Sequence, residues 1–93
     1  MLTHEQFNEC LNGIFSVSSP SIDLELVECK QMDSHSGASA SRIPFSLIFR
    51  GPMTTILPQQ TYSMHNERMG DLEIFLVPIG PGGNGMDYEA IFT

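Results

Sequence analysis

Positive charge is what this sequence has least of. Lys30, Arg42, Arg50 and Arg68 are its four basic residues against eleven acidic ones, a net charge of −7. The four are scattered and form no run. Gripping a phosphate backbone needs several clustered lysines or arginines, so nucleic acid and anionic membranes are not expected as direct partners. The acidic excess instead favours a basic patch on a partner. Cysteine is nearly as sparse. Cys10 and Cys29 stand alone, without a second cysteine at Cys-x-x-Cys spacing, so a zinc knuckle is not expected. Their separation permits a disulfide without calling for one, and they read as two small buried apolar residues. No apolar run approaches the ~20 residues a membrane helix needs. The segment Met1-Leu2-Thr3-His4-Glu5 has neither a basic stretch nor an apolar core, so no secretory signal is visible. Synthesis in the cytoplasm, with or without incorporation into a particle, is the expectation.

What remains is an ordinary folding composition in a short chain. Ninety-three residues make one domain, residues 1–93. Hydrophobic residues at 41% are enough to build a core. Charged residues at 16% fall below the usual ~25%, which leaves neutral surface free for association. A domain this small buries a modest share of its surface and gains from contacts with a partner.

Thr3-His4-Glu5-Gln6 has the form of a capping box. Phe7, Cys10, Leu11 and Ile14 follow at helical spacing, and Gly13 offers a stop. The pattern predicts an amphipathic helix of about ten residues that must pack on something. Beyond it the period is two. Ile14 to Ser18 is a short strand. Ile22, Leu24 and Leu26 alternate with acids, and then Val27 and Cys29 take over the apolar phase. A one-residue slip of this kind marks a β-bulge. Residues 33–41 read as a flexible polar loop. Phe45, Leu47 and Phe49 share a face. Gln60 to Asn66 is a weaker strand with Tyr62 and Met64 inward, and a turn follows to Gly70. Leu72, Ile74 and Leu76 alternate with acids, and from Phe75 to Ile79 both faces are apolar. Gly80 to Gly85 reads as a loop, and Met86, Tyr88, Ala90 and Phe92 line the last strand. The prediction is a mainly β fold: a short N-terminal helix, then about six antiparallel strands in a small barrel or compact sandwich.

No motif carries chemistry. Gly80-Pro81-Gly82-Gly83-Asn84-Gly85 lacks the Lys-Ser/Thr ending of a phosphate loop and leads into a strand rather than a helix. No serine sits in a Gly-x-Ser-x-Gly elbow. His4, His35 and His65 have no metal-ligand spacing and read as surface histidines. Asp23, Glu25, Asp71, Glu73, Asp87 and Glu89 occupy the polar positions of alternating strands, a solvated sheet face. No catalytic residue, cofactor or metal is expected.

Two features point to interaction. Arg50 closes the strand Phe45–Arg50 immediately before Gly51-Pro52. It is either a fork for Glu73, Glu89 or a partner's carboxylate, or an exposed strand-end charge. If it meets a partner, truncation to alanine weakens binding more than folding. The second feature is the set Ile48, Phe75, Val77, Ile79 and Ile91, which alternate out of phase with the core. Whatever the helix leaves uncovered there is an association patch. The expected interaction residues are therefore Ile48, Arg50, Phe75, Val77 and Ile91, for a protein partner or for self-association. The alternative is a small enzyme or ligand-binding barrel, marked by a pocket that joins Arg50, Tyr62 and His65.

Several pieces of the chain are also familiar as a set. They are Leu2-Thr3 with Gln6-Phe7, Phe45-Ser46-Leu47 with Phe49-Arg50-Gly51-Pro52, Leu57-Pro58-Gln59, Tyr62, His65, Gly70, Phe75-Leu76-Val77-Pro78-Ile79-Gly80 and Tyr88-Glu89-Ala90-Ile91-Phe92. Together they span nearly the whole chain. In them it resembles a family of small uncharacterised bacterial domains of about this length. The resemblance implies no activity and transfers no catalytic residues. Members of that family tend to accompany genes for phage-tail-collar-like fibre proteins, which implies a structural part or assembly accessory of a tail fibre.

Overall fold

A computed structural model describes residues 2–31 and 44–92, so the loop read at 33–41 lies outside the described residues. The chain opens on helix α1 (His4–Asn8) and continues through β1 (Ile14–Val17), β2 (Ile22–Gln31), β3 (Phe45–Gly51), β4 (Gln60–Asn66), β5 (Gly70–Gly82) and β6 (Gly85–Phe92). All neighbouring strands are antiparallel. They run β1-β2-β3-β6-β5-β4 in one sheet, and β4 returns to β1 to close a barrel. The closing ladder is short: Phe15 faces Asn66, Ser16 faces His65 and Val17 faces Met64.

The period of two fills the interior. Leu24, Leu26, Phe45, Leu47, Phe49, Tyr62, Met64, Ile74, Leu76, Tyr88 and Ala90 all point inward and are buried. Closure needs curvature, and two bulges supply it. One lies at Val27, between Leu26 and Glu28 in the ladder with β3, where the phase slip places it. The other lies at Ile79, between Pro78 and Gly80 in the ladder with β6.

Each end of the barrel is plugged. At one end stands α1. Its capping box is complete, with Thr3 Oγ1 accepting from Gln6 N and Gln6 Oε1 from Thr3 N. The helix spans five residues, half the predicted length. Leu11 and Ile14 are exposed rather than part of its buried stripe. The cause is a competing partner. Asn12 N–H donates to Leu26 C=O at 2.7 Å, and Leu26 N–H donates to Gly13 C=O at 3.1 Å, so the chain leaves the helix to pair with the bulged strand. The left-handed residue is Asn12 (φ 69°), not Gly13. Gly13 is required for room, since a Cβ there would lie 2.8 Å from the Cys10 carbonyl oxygen. Phe7 fills the barrel end, with ring centroids 6.2, 5.9 and 5.4 Å from Phe15, Phe45 and Phe92.

At the other end the segment 52–59 carries the chain from β3 to β4, which are not ladder neighbours. Leu57 enters the core fully buried. Its N–H donates to the Tyr88 hydroxyl at 2.8 Å, and Tyr62 donates its hydroxyl to Pro58 C=O. Beyond this mouth β5 and β6 extend as a hairpin. The sequence reads residues 80–85 as a loop, yet strand pairing continues to Gly82↔Gly85. The turn itself is Gly83-Asn84, with Gly83 at φ 57°, as a tight hairpin demands of its first central residue.

Candidate interaction face

The outward side chains of β3, β6 and β5 form the face. On β3 these are Ser46, Ile48 and Arg50, on β6 Asp87, Glu89 and Ile91, and on β5 Phe75 and Val77. Register fixes their neighbours. Ile48 lies between Glu28 of β2 and Glu89 of β6, and Glu89 lies between Ile48 and Val77 of β5. Ile91 is opposite Ser46, and Phe75 is opposite Thr61 of β4. The β5–β6 ladder ends at Val77↔Glu89, so Phe75 and Ile91 stand on either side of the place where it stops. Phe75 is 50% exposed and Ile91 52% exposed, while Ile48 and Val77 are half-buried. The helix plugs the barrel end and leaves this face open.

Arg50 stands at the upper margin, where its carboxylate partner is within the chain. Neither Glu73 nor Glu89, the acids named from sequence, takes this place. Asp87, directly opposite on β6, does. Nε to Oδ1 is 2.7 Å and Nη2 to Oδ2 is 3.1 Å, a bidentate fork. The hydrogen bonds to Asp87 push the arginine pKa further above its ordinary value. The pair ties β3 to the root of the β5–β6 hairpin. Nothing in residue spacing pointed to Asp87, because its position opposite Arg50 follows from strand order.

Arg50, Tyr62 and His65 do not share a pocket. Tyr62 points into the core, where burial pushes its phenol pKa up. His65 points outward from β4, its side chain 63% exposed, with Nδ1 2.8 Å from Asp71 Oδ1. Ser16 faces His65 across the β1–β4 ladder, so Ser16, His65 and Asp71 form a row across three strands. The row resembles a serine triad in residue type only. Asp71 is 94% exposed, and a carboxylate in bulk water does not hold an imidazole in one orientation. Among the described residues no three histidine, cysteine or acidic side chains converge as a metal site.

Among the described residues the other cations are Arg68 and Lys30. Arg68 pairs with Glu9 at 3.1 Å on the surface, and Lys30 has no ion pair among the described residues. Both cysteines are free thiols, Cys10 buried and Cys29 half-buried. Cys29 shares its thiol with His4 C=O at 3.7 Å. Burial, then the nearby Glu5, pushes the Cys29 pKa up. Less thiolate is present at any pH, so iodoacetamide at pH 8 is expected to label Cys29 several-fold more slowly than free cysteine, as followed by mass spectrometry. A rate equal to that of free cysteine contradicts this environment.

The family model for a domain of unknown function, DUF6916, matches residues 2–92. The chain belongs to this family. A DUF6916 domain is thus a six-stranded barrel plugged by a short helix in this instance. Among curated proteins and among solved structures, nothing matches the chain. Among the described residues no helix of this DUF6916 domain is long and apolar enough to cross a membrane.

Proposed function

We propose that this domain is a non-enzymatic protein-interaction module, a structural or assembly accessory of a larger complex, docked through the outer face of β3, β6 and β5. One observation carries the reading: Phe75 and Ile91, each about half exposed, adjoin Val77 and Ile48 on a small, weakly charged domain whose own helix packs elsewhere. Apolar side chains gathered on one face, rather than scattered singly, are what an interface core is made of. Arg50, locked to Asp87, would form a rigid polar rim beside them. The resemblance read from the sequence, to domains that accompany phage-tail-collar-like fibre proteins, favours a fibre or tail as the larger complex. On that reading the protein is made in the cytoplasm and ends in a particle.

The test is cross-linking of the full chain in its native host, together with light scattering over a concentration series. The expected result is either a defined protein partner or a concentration-dependent oligomer. Phe75→Ser with Ile91→Ser should weaken that association by roughly 30-fold, the loss of about 2 kcal/mol of buried apolar contact. A strict monomer that cross-links to no protein sinks the proposal.

A further inference from the structure

Glu89 is the odd residue of the interaction face. It is half-buried, and its ladder neighbours on both sides are apolar, Ile48 and Val77. Ile91, two residues along the same strand, borders it on the same face. No cation pairs with it among the described residues. Among the described residues the nearest arginine across the strands is Arg50, and Asp87 already holds it through Nε and Nη2. Glu28, on the far side of Ile48, adds a second carboxylate about 10 Å away, two strand spacings. Among the described residues only Lys30, one row down on β2, offsets them.

Resting on the reading above, we infer that the face takes a partner segment that presents an arginine flanked by apolar side chains, with the guanidinium on Glu89. The anatomy is that of an interface anchor, one charge inside an apolar surround that excludes water when the partner seats. Dehydration strengthens the ion pair and makes an unpaired Glu89 costly, so the site rejects partners without a cation. Arginine fits better than lysine. Its guanidinium is weakly hydrated, binds a carboxylate through two parallel N–H donors and stacks on an aromatic ring such as Phe75. Its stem covers the aliphatic side chains of Ile48 and Val77. A second copy of this chain fits poorly. A two-fold dimer sets this same face against itself, bringing four carboxylates, Glu28 and Glu89 of each copy, together with two Lys30 side chains to offset them.

The probe is a blocked synthetic pentapeptide, Val-Arg-Ile-Arg-Val, titrated into the isotope-labelled full chain and followed by amide chemical shifts. Counterparts carry Lys or Glu in place of Arg. The expected result is shifts centred on Ile48, Val77, Glu89 and Ile91, with the order Arg over Lys and no binding of the Glu peptide. Glu89→Gln should weaken the Arg peptide at least about tenfold while leaving the fold's spectrum intact, and raising salt should weaken it further. Equal binding of the Glu peptide, an unchanged affinity in Glu89→Gln, or shifts centred elsewhere overturns the inference. Self-association through Phe75 and Ile91 without Arg-peptide binding also overturns it, while leaving the interaction-module reading intact.

Discussion

Phe7→Ala is expected to cost about 4 kcal/mol of folding stability, the usual toll for truncating a fully buried phenylalanine. A domain of this size has roughly 5–14 kcal/mol in total, so the variant loses a large fraction of it. The size of the effect comes from position. Phe7 belongs to a helix of five residues that has no stability of its own in water. The ring holds that helix to the barrel end and closes it, in contact with Phe15, Phe45 and Phe92, the last two stacked on each other at 4.9 Å. Removing it leaves a void against rings fixed on three different strands, which cannot all move in. Urea unfolding should show a lower midpoint with an unchanged slope. Leu11→Ala is the comparison, since Leu11 is 40% exposed and its loss should cost under about 1 kcal/mol. Equal costs for the two would contradict the Phe7 plug as the source of stability at this end.

Leu11 also shows where spacing misleads. Phe7, Cys10, Leu11 and Ile14 fit a helical stripe, but the stripe assumes that backbone bonds stay local. Asn12 and Gly13 instead bond to Leu26, and that choice depends on the bulge in a strand that comes later in the chain. The bulge itself was legible, because a change of phase from Leu26 to Val27 is a local mark. So were the inward faces of β3 to β6, since alternation needs no knowledge of partners. The extent of the Gly80–Gly85 segment was not. Glycine and proline read as loop, yet here they form strand ends because β5 and β6 hold each other in register out to the tip. The interaction face was half legible. The apolar residues out of phase with the core could be picked out one by one. Which acids stand among them, Asp87 on Arg50 and Glu89 between Ile48 and Val77, depends on β6 lying between β3 and β5.

A residue that drew no attention in the sequence carries the second large effect. Asn66→Ala is expected to destabilise the fold by about 3 kcal/mol. Asn66 ends β4 and is 5% exposed. Its Oδ1 accepts from the backbone N–H of Arg68 and of Met69, both at 2.9 Å, and from the Cys10 thiol at 3.5 Å. Its Nδ2 donates to Ile14 C=O at 3.0 Å. One amide thus shapes the β4–β5 turn, the start of β1 and the exit from the helix. Alanine leaves these donors and the carbonyl without their partner, and each such group costs about 1–3 kcal/mol where water cannot reach it. Arg68→Ala removes from the same turn only an ion pair whose two side chains are about 65% exposed, and should change stability by less than about 0.5 kcal/mol. Amide exchange separates the two cases. Asn66→Ala should speed exchange at Arg68 and Met69 beyond the global loss, and Arg68→Ala should not. Unchanged protection at Met69 would assign the turn's order to its backbone alone. The hub binds β4, β1 and the helix, whereas the interaction face is carried by β3, β6 and β5. Under conditions where Asn66→Ala remains folded, binding through the proposed face of Phe75, Glu89 and Ile91 should therefore match that of the unsubstituted chain, which separates the residues that hold the barrel shut from those proposed to meet a partner.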